Sequence, residues 1–533
     1  MGFQKKSQSH AKSSIERNAT PKQNNSTSNI VSAAEAGTLN SRDHASKDSE
    51  ALTAKNKQPS SLGREQSRKQ QKISPQQLRE IAIKCHHSAQ WDKAVNLYKA
   101  YLLISPEDVS IWSNLGATLR KQKRYQLAVS CYRRGLEYNP QDLVLLGNLA
   151  NALKDLHQLE EAIELHKQVL QQKPDDIQAL MNYACALRES GYFDEALEQL
   201  NKAKSLLPAG TNVNNPLAAG IEWERAQNLL YLGRYTEGWP AYEARWHTGE
   251  LPQKRFPFPR WEKQSLKNKT VLLHTEQGYG DTILAARFIP LLKQQGATVI
   301  LQCKPELHRV FEKIGADRII SMDAYIDNNL ADYHCPLMSL MGQLNIQPDS
   351  IPEPAQLHIP KESQQKFQKL KASHSDKLKI GIVWSGSLTF ANNHNRSIPL
   401  QQLLPLTAIP NTRFFSLQKG PRSQELKDSG ADCVIHDLSN HLDDFADTAA
   451  AIDSLDVIVM TDSSVAHLAT SLNKPVINLL NAVPYWLYAL EEKTTPWYPM
   501  MTLVKQANNG CWDDVTQQAK LLLETRVTNK KSS

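Results

Sequence analysis

At 533 residues the chain is long enough for about three domains of the usual ~150 residues, so burying sizeable cores is not at issue. Its formal net charge of +7 sits in residues 1–72, where 9 Lys and 4 Arg face 6 acidic residues, while the remainder carries 49 charges of each sign. The total therefore supplies no basic face on a folded domain, which nucleic-acid binding requires. Seven cysteines spread singly, without a CxxC, give no zinc spacing and point to a reducing compartment.

Residues 1–72 are rich in Ser, Gln, Asn and Lys and nearly free of aromatic residues, so they cannot bury enough surface to offset chain entropy. They read as a disordered basic tail. The opening MGFQKKSQSHAKSS lacks the apolar core of a signal peptide, and no apolar run approaches the ~18 residues of a membrane span, so the protein reads as cytoplasmic.

From Ser74 the pattern turns helical and repeats. Ala94, Ala128, Ala162 and Ala196 are spaced by 34 residues, as are Pro106, Pro140, Pro174 and Pro208. Large apolar residues keep the same period, as in Leu78, Trp112, Leu146 and Leu180. Two residue types sharing one period mark stacked helical hairpins, with alanine where helices approach and proline ending the second helix. The pattern resembles the tetratricopeptide repeat (TPR), most completely at Trp112, Leu115, Gly116, Ala128, Tyr132 and Pro140. Residues 74–246 read as a solenoid of four clear repeats and a degenerate fifth carrying Trp223, Tyr231, Tyr235 and Tyr242. The concave face of such a solenoid commonly takes a peptide or partner protein, an inference from fold class alone.

Residues 247–265, with Pro252, Pro257 and Pro259, form a stiff connector. Strand and helix signals then alternate. Thr270–His274 reads as a strand, the Gly-rich turn through Gly278 and Gly280 leads into a helix, and Thr298–Gln302 is the next strand. After a charged segment at 361–377 a second α/β series opens at Ile380–Trp384 and ends in the DVIVMTDSSVAHLATSLNKPVINLL stretch, strand, capped turn, helix and strand. Its turn should lie at the carboxyl end of a parallel sheet, where open α/β folds bind ligands and a helix start offers N–H groups to an anion. Neither GxGxxG nor GxxxxGK[ST] is present, so neither a nicotinamide cofactor nor a P-loop is indicated.

The blocks HTEQGYGDTILAARFIPLL, VWSGS, NRSIPL, FFSLQKG, DDFADTAAAIDSLDVIVMTDSSVAHLATSLNKPV and PWYP, in this order, resemble bacterial proteins that join TPR repeats to a heptosyltransferase-like glycosyltransferase. The resemblance implies an α + α/β architecture, a TPR solenoid followed by a GT-B pair of Rossmann-like domains: an acceptor domain over 266–360 and a nucleotide-sugar domain over 378–525. It further implies an inverting transfer from a nucleotide-sugar co-substrate, with no metal and no other cofactor. A departing diphosphate then needs cations and helix N-termini. Arg396 and Lys419 are the candidate cations, and the N–H groups of Ser463, Ser464 and Val465 the candidate cradle. Asp281 matches the base of heptosyltransferases, with Glu276 in reserve, and Gly278 and Gly280 let the backbone approach substrate. Asp462 reads either as a ligand of sugar hydroxyls or as an N-cap, His467 either as a donor contact or as a core histidine, and Asp281 either as the base or as a cap. The family usually carries Asp-Trp-Arg-Trp where this chain has Tyr485-Trp486-Leu487-Tyr488, Asp at Asn393 and Arg at Thr502, so charges are expected to be missing from loops lining the cleft. The repeats would recruit a protein or glycan acceptor; the alternative is a non-catalytic TPR scaffold with a vestigial transferase domain.

Overall fold

The computed structural model describes residues 73–276, 278–390, 393–508 and 510–532. The predicted tail at 1–72 lies outside them. The described chain forms two compact units that divide after Ala152.

The first unit holds the helices α1 (Pro75–His87), α2 (Trp91–Leu102), α3 (Val109–Lys121) and α4 (Tyr125–Tyr138), and most of α5 (Leu143–Asp155). Ser74 and Asp108 cap α1 and α3 by accepting backbone N–H bonds, which satisfies donors that a helix start leaves free. Ala94 and Ala128 are fully buried where paired helices meet, as the 34-residue period predicts.

The second unit opens with the helices α6 (Leu159–Gln172), α7 (Ile177–Glu189), α8 (Phe193–Ser205), α9 (Pro216–Tyr231) and α10 (Tyr235–Tyr242). Ala162 and Ala196 are buried in the same way. The α9–α10 hairpin differs from its predecessors. Its Tyr231, Tyr235, Trp239 and Tyr242 belong to the same apolar core as the strands that follow.

Two parallel sheets complete the unit. The first, β1 (Thr270–His274), β2 (Thr298–Cys303), β3 (Arg318–Ser321) and β4 (Tyr333–Pro336), has the order β3-β2-β1-β4. The second contains β5 (Leu378–Val383), β6 (Thr412–Ser416), β7 (Ile435–Asp437), β8 (Val457–Thr461), β9 (Val476–Leu480) and β10 (Met501–Lys505), ordered β10-β9-β8-β5-β6-β7. Counted within its own domain this is the doubly wound order 3-2-1-4-5-6, reversed in direction between β5 and β8, and the first sheet repeats its opening 3-2-1-4. The fold is thus a helical-repeat array followed by a GT-B-like pair of Rossmann-like sheets. Strands buried on both faces, such as β5 and β8, are near-continuous apolar runs because helices cover both sides. The helices that matter here are α11 (Tyr279–Ala286), α12 (Phe445–Asp453), α13 (Ser464–Ser471) and α14 (Asp513–Ser532), the last running past the predicted end at 525.

One expectation about the cleft fails on strand direction. Thr502 is the second residue of β10 and pairs with Ile477 near the start of β9, so it lies toward the amino ends of the strands, away from the carboxyl edge where ligands bind. Leu487 is also not a cleft residue, being fully buried in the core beside Trp486.

Candidate functional site

The chain turns from β8 into α13 through Asp462 and Ser463. Ser463 caps the helix by accepting the Val465 N–H at 3.4 Å. Asp462 therefore is not the cap. Its carboxylate lies 3.6 Å from the Arg396 guanidinium and accepts the Tyr488 hydroxyl at 3.1 Å. The same cap corrects the proposed cradle, since the Val465 N–H is already used, and Ser463 itself is buried. Ser464 is partly open.

Arg396 reaches this point from the segment after β5. Its Nε donates to Asn393 Oδ1 at 3.2 Å, and its guanidinium lies 4.4 Å from the centre of the Phe390 ring. Asn393 in turn donates to Ser385 Oγ at 3.0 Å, so it serves as a bracket for the arginine. Gly386 passes beneath. A Cβ there would run into both Arg396 and Asn393, so a larger residue would push the arginine out of its place.

Opposite stands the start of α11. Asp281 Oδ2 accepts the Gly278 N–H at 3.0 Å, so this carboxylate closes its own helix start. Burial, followed by the charge of Asp462, raises its pKa to about 6 against the hydrogen bond from Gly278. Asp462 is raised as well, by burial, with Arg396 and Tyr488 opposing. Two carboxylates with one arginine thus share the space between two helix starts. The approach is tight: a Cβ on Gly280 would lie 2.9 Å from His467 Cδ2 and 3.5 Å from Ser464 Cα.

Three predicted residues take other roles. His467 is buried, its Nδ1 paired with the Tyr498 hydroxyl at 2.8 Å, and burial lowers its pKa to about 3. It is a neutral packing residue, not a donor contact. Lys419 is exposed and its Nζ donates to the Ser439 carbonyl at 3.0 Å, beyond β7, so it is not among the groups gathered at Asp462. Glu276 is held by Arg245, 3.0 Å away and 1 % exposed, and by the Met338 N–H at 3.3 Å. Burial nevertheless raises its pKa to about 7, with Arg245 opposing. This buried carboxyl is a structural partner of the last repeat, not a reserve base.

The sequence placed Tyr488 in a loop lining the cleft but gave its hydroxyl no role. The same holds for Tyr485, whose phenol pKa is raised well above the ordinary value by burial and by the neighbouring Tyr242, Asp281 and Asp462. Among the described residues no group of three or more His, Cys, Asp or Glu is placed to hold a metal ion, and no helix is long and apolar enough to cross a membrane.

Residues 109–142 match a tetratricopeptide repeat family model, and residues 153–213 match a second tetratricopeptide repeat model. The chain carries tetratricopeptide repeats. Protein FlbA of Caulobacter vibrioides is 26% identical over 325 residues, covering 55% of this chain and 53% of that protein, so the match spans about half the length of the curated relative. Among solved structures, a glycosyl transferase family 9 protein from Veillonella parvula aligns at 12% identity with a TM-score of 0.40, covering 50% of this chain and 99% of that one. YrrB, described as a TPR protein with an unusual peptide-binding site, aligns at 16% identity with a TM-score of 0.27 over 33% of this chain and 86% of its own.

Proposed function

We propose that the two Rossmann-like sheets form a metal-independent, inverting glycosyltransferase that uses a nucleotide-sugar donor, and that the repeats bring a protein or glycan acceptor to it. The observation that carries this reading is the convergence of Asp281, Asp462 and Arg396 at two facing helix starts, on the carboxyl edges of the two sheets. In the reaction the acceptor oxygen attacks the anomeric carbon and its proton passes to Asp281. The bond from that carbon to the diphosphate oxygen breaks, and its electron pair stays on the phosphate. A single displacement inverts the sugar. Arg396 and the amino end of α13 neutralise the leaving charge, as one preorganised donor is worth roughly 10²–10³ in rate. Asp462 holds Arg396 in place before the donor arrives. A carboxyl near pH 6 is well matched to general-base work close to neutrality.

A second reading, a non-catalytic repeat scaffold, draws on the engagement of both predicted cations: Arg396 by Asp462 and Lys419 by Ser439. The two readings part in one assay, release of nucleoside diphosphate from a panel of nucleotide sugars. The enzyme reading expects turnover with at least one donor, whereas no binding to any of them favours the scaffold. With a donor in hand, the pH profile follows from Asp281. Below about pH 6 its carboxyl is protonated and cannot accept a proton, so kcat/KM should rise with a midpoint near 6 and then level off. A rate that is flat from pH 4 to 8 rules out Asp281 as the base.

A further inference from the structure

Tyr231 closes α9, the first helix of the last repeat hairpin. Its ring stacks on Phe193 of the preceding repeat, with centroids 4.4 Å apart and planes 9° from parallel. Its buried hydroxyl reaches out of the repeats and donates to the Pro484 carbonyl at 2.7 Å. Pro484 leads directly into the turn that carries Tyr485 and Tyr488, and Tyr488 donates to Asp462 opposite Arg396. A tyrosine of the repeats is therefore two hydrogen bonds from the carboxylate that holds the site's arginine.

The anchor is rigid because the hairpin is tied to both sheet domains. Trp239 Nε1 donates to the Ile346 carbonyl at 2.7 Å beside the first sheet, and Trp497 Nε1 from the second donates to the Tyr235 hydroxyl at 3.0 Å. Trp486 packs between Trp239 and Trp497, with ring centroids 5.5 and 5.6 Å away. At the hairpin's end Arg245 pairs with Glu276 in the turn before α11. Recruiting a partner would require none of these bonds.

We propose that Tyr231 is a positioning residue for the donor side: its hydroxyl fixes the turn over 484–488 so that Tyr488 holds Asp462 in the orientation that seats Arg396. The terminal repeat is then a component of the reaction site. This rests on the cleft being a nucleotide-sugar site. No atom of Tyr231 meets substrate; it acts through Pro484 and Tyr488.

The test uses the full chain with a nucleotide sugar that the wild type turns over. Tyr231→Phe keeps the stack on Phe193 and removes only the hydroxyl. It should raise donor KM, and the Kd of the matching nucleoside diphosphate, about five- to tenfold, the effect of one buried hydrogen bond. Because the loss falls on seating the donor, kcat at saturation should change by less than about twofold. Tyr488→Phe should act in the same direction, and the double variant should cost no more than the larger single change, since both interrupt one connection. Leu200→Ala, in the separate core of the preceding repeats, separates stability from positioning, as it should lower the thermal midpoint while leaving donor KM unchanged. Donor KM unchanged in Tyr231→Phe, or costs that add in the double variant, overturns the proposal with the cleft's reading intact. A wild type that binds no nucleotide overturns both.

Discussion

Replacing Asp281 with asparagine is expected to lower kcat by roughly 10²–10⁴-fold, the usual contribution of a positioned general base. The substitution isolates chemistry from folding. An asparagine oxygen can still accept the Gly278 N–H that closes α11, and the side-chain volume is nearly unchanged. What disappears is the proton acceptor. Donor affinity should stay close to wild type, because the diphosphate is assigned to Arg396 and α13 on the other domain, and the rising limb of the pH profile near 6 should vanish with the carboxylate. Glu276 cannot take over, since one of its oxygens is held by Arg245 and the Met338 N–H and its side chain is 5 % exposed. Steady-state kinetics with the thermal midpoint as a control decide the matter: full activity in a folded Asp281→Asn protein removes this residue from the mechanism.

The second large effect is on stability. Arg245 is 1 % exposed, pairs with Glu243 at 2.8 Å and Glu276 at 3.0 Å, and donates to Ser339 Oγ at 2.8 Å. Arg245→Met fills most of the volume but leaves Glu276 buried without its cation. Because burial already raises the Glu276 pKa to about 7, its carboxyl takes up a proton once the cation is gone, and the cost is that of the lost hydrogen bonds, about 1–3 kcal/mol. A fall of several degrees in the midpoint of the second unit should follow. The loss should deepen as pH rises above about 7, where the unpaired Glu276 must ionise, and adding Glu276→Gln should remove that pH dependence. If Arg245→Met melts with the wild type, the last repeat is not held to the first sheet in the way described.

The repeats were legible because one period of 34 residues fixes both where helices approach and where they end, so Ala94, Ala128, Ala162 and Ala196 are all buried. The strands Thr270–His274 and Val476–Leu480 were legible because residues buried on both faces are mostly apolar, with Asn478 the one interior exception. At the site the two turns were legible as short polar runs between apolar ones, while Asp281, Asp462 and Arg396 were singled out by the resemblance, and the structure brings them together. Partnerships across the chain were not. Nothing in sequence tells that Tyr231 will bond to Pro484, that Tyr488 will hold Asp462, or that Arg245 will claim Glu276, because no periodicity links residues in different elements. Lys419 failed for a related reason, since a carbonyl at Ser439 decides where its side chain points, while of the two readings of His467 burial selects the core one. Thr502 failed because the direction of its strand, not its neighbours in sequence, sets which edge it occupies.

The central claim is that an anionic leaving group rests between Arg396 and the start of α13. Titration calorimetry of nucleoside diphosphates of each common base into the full chain, with wild type and Arg396→Ala side by side, tests it most directly. The account predicts that at least one diphosphate binds the wild type and that Arg396→Ala weakens it by tenfold or more, about 1.4 kcal/mol. Equal binding by the two proteins, or no binding by the wild type, contradicts it.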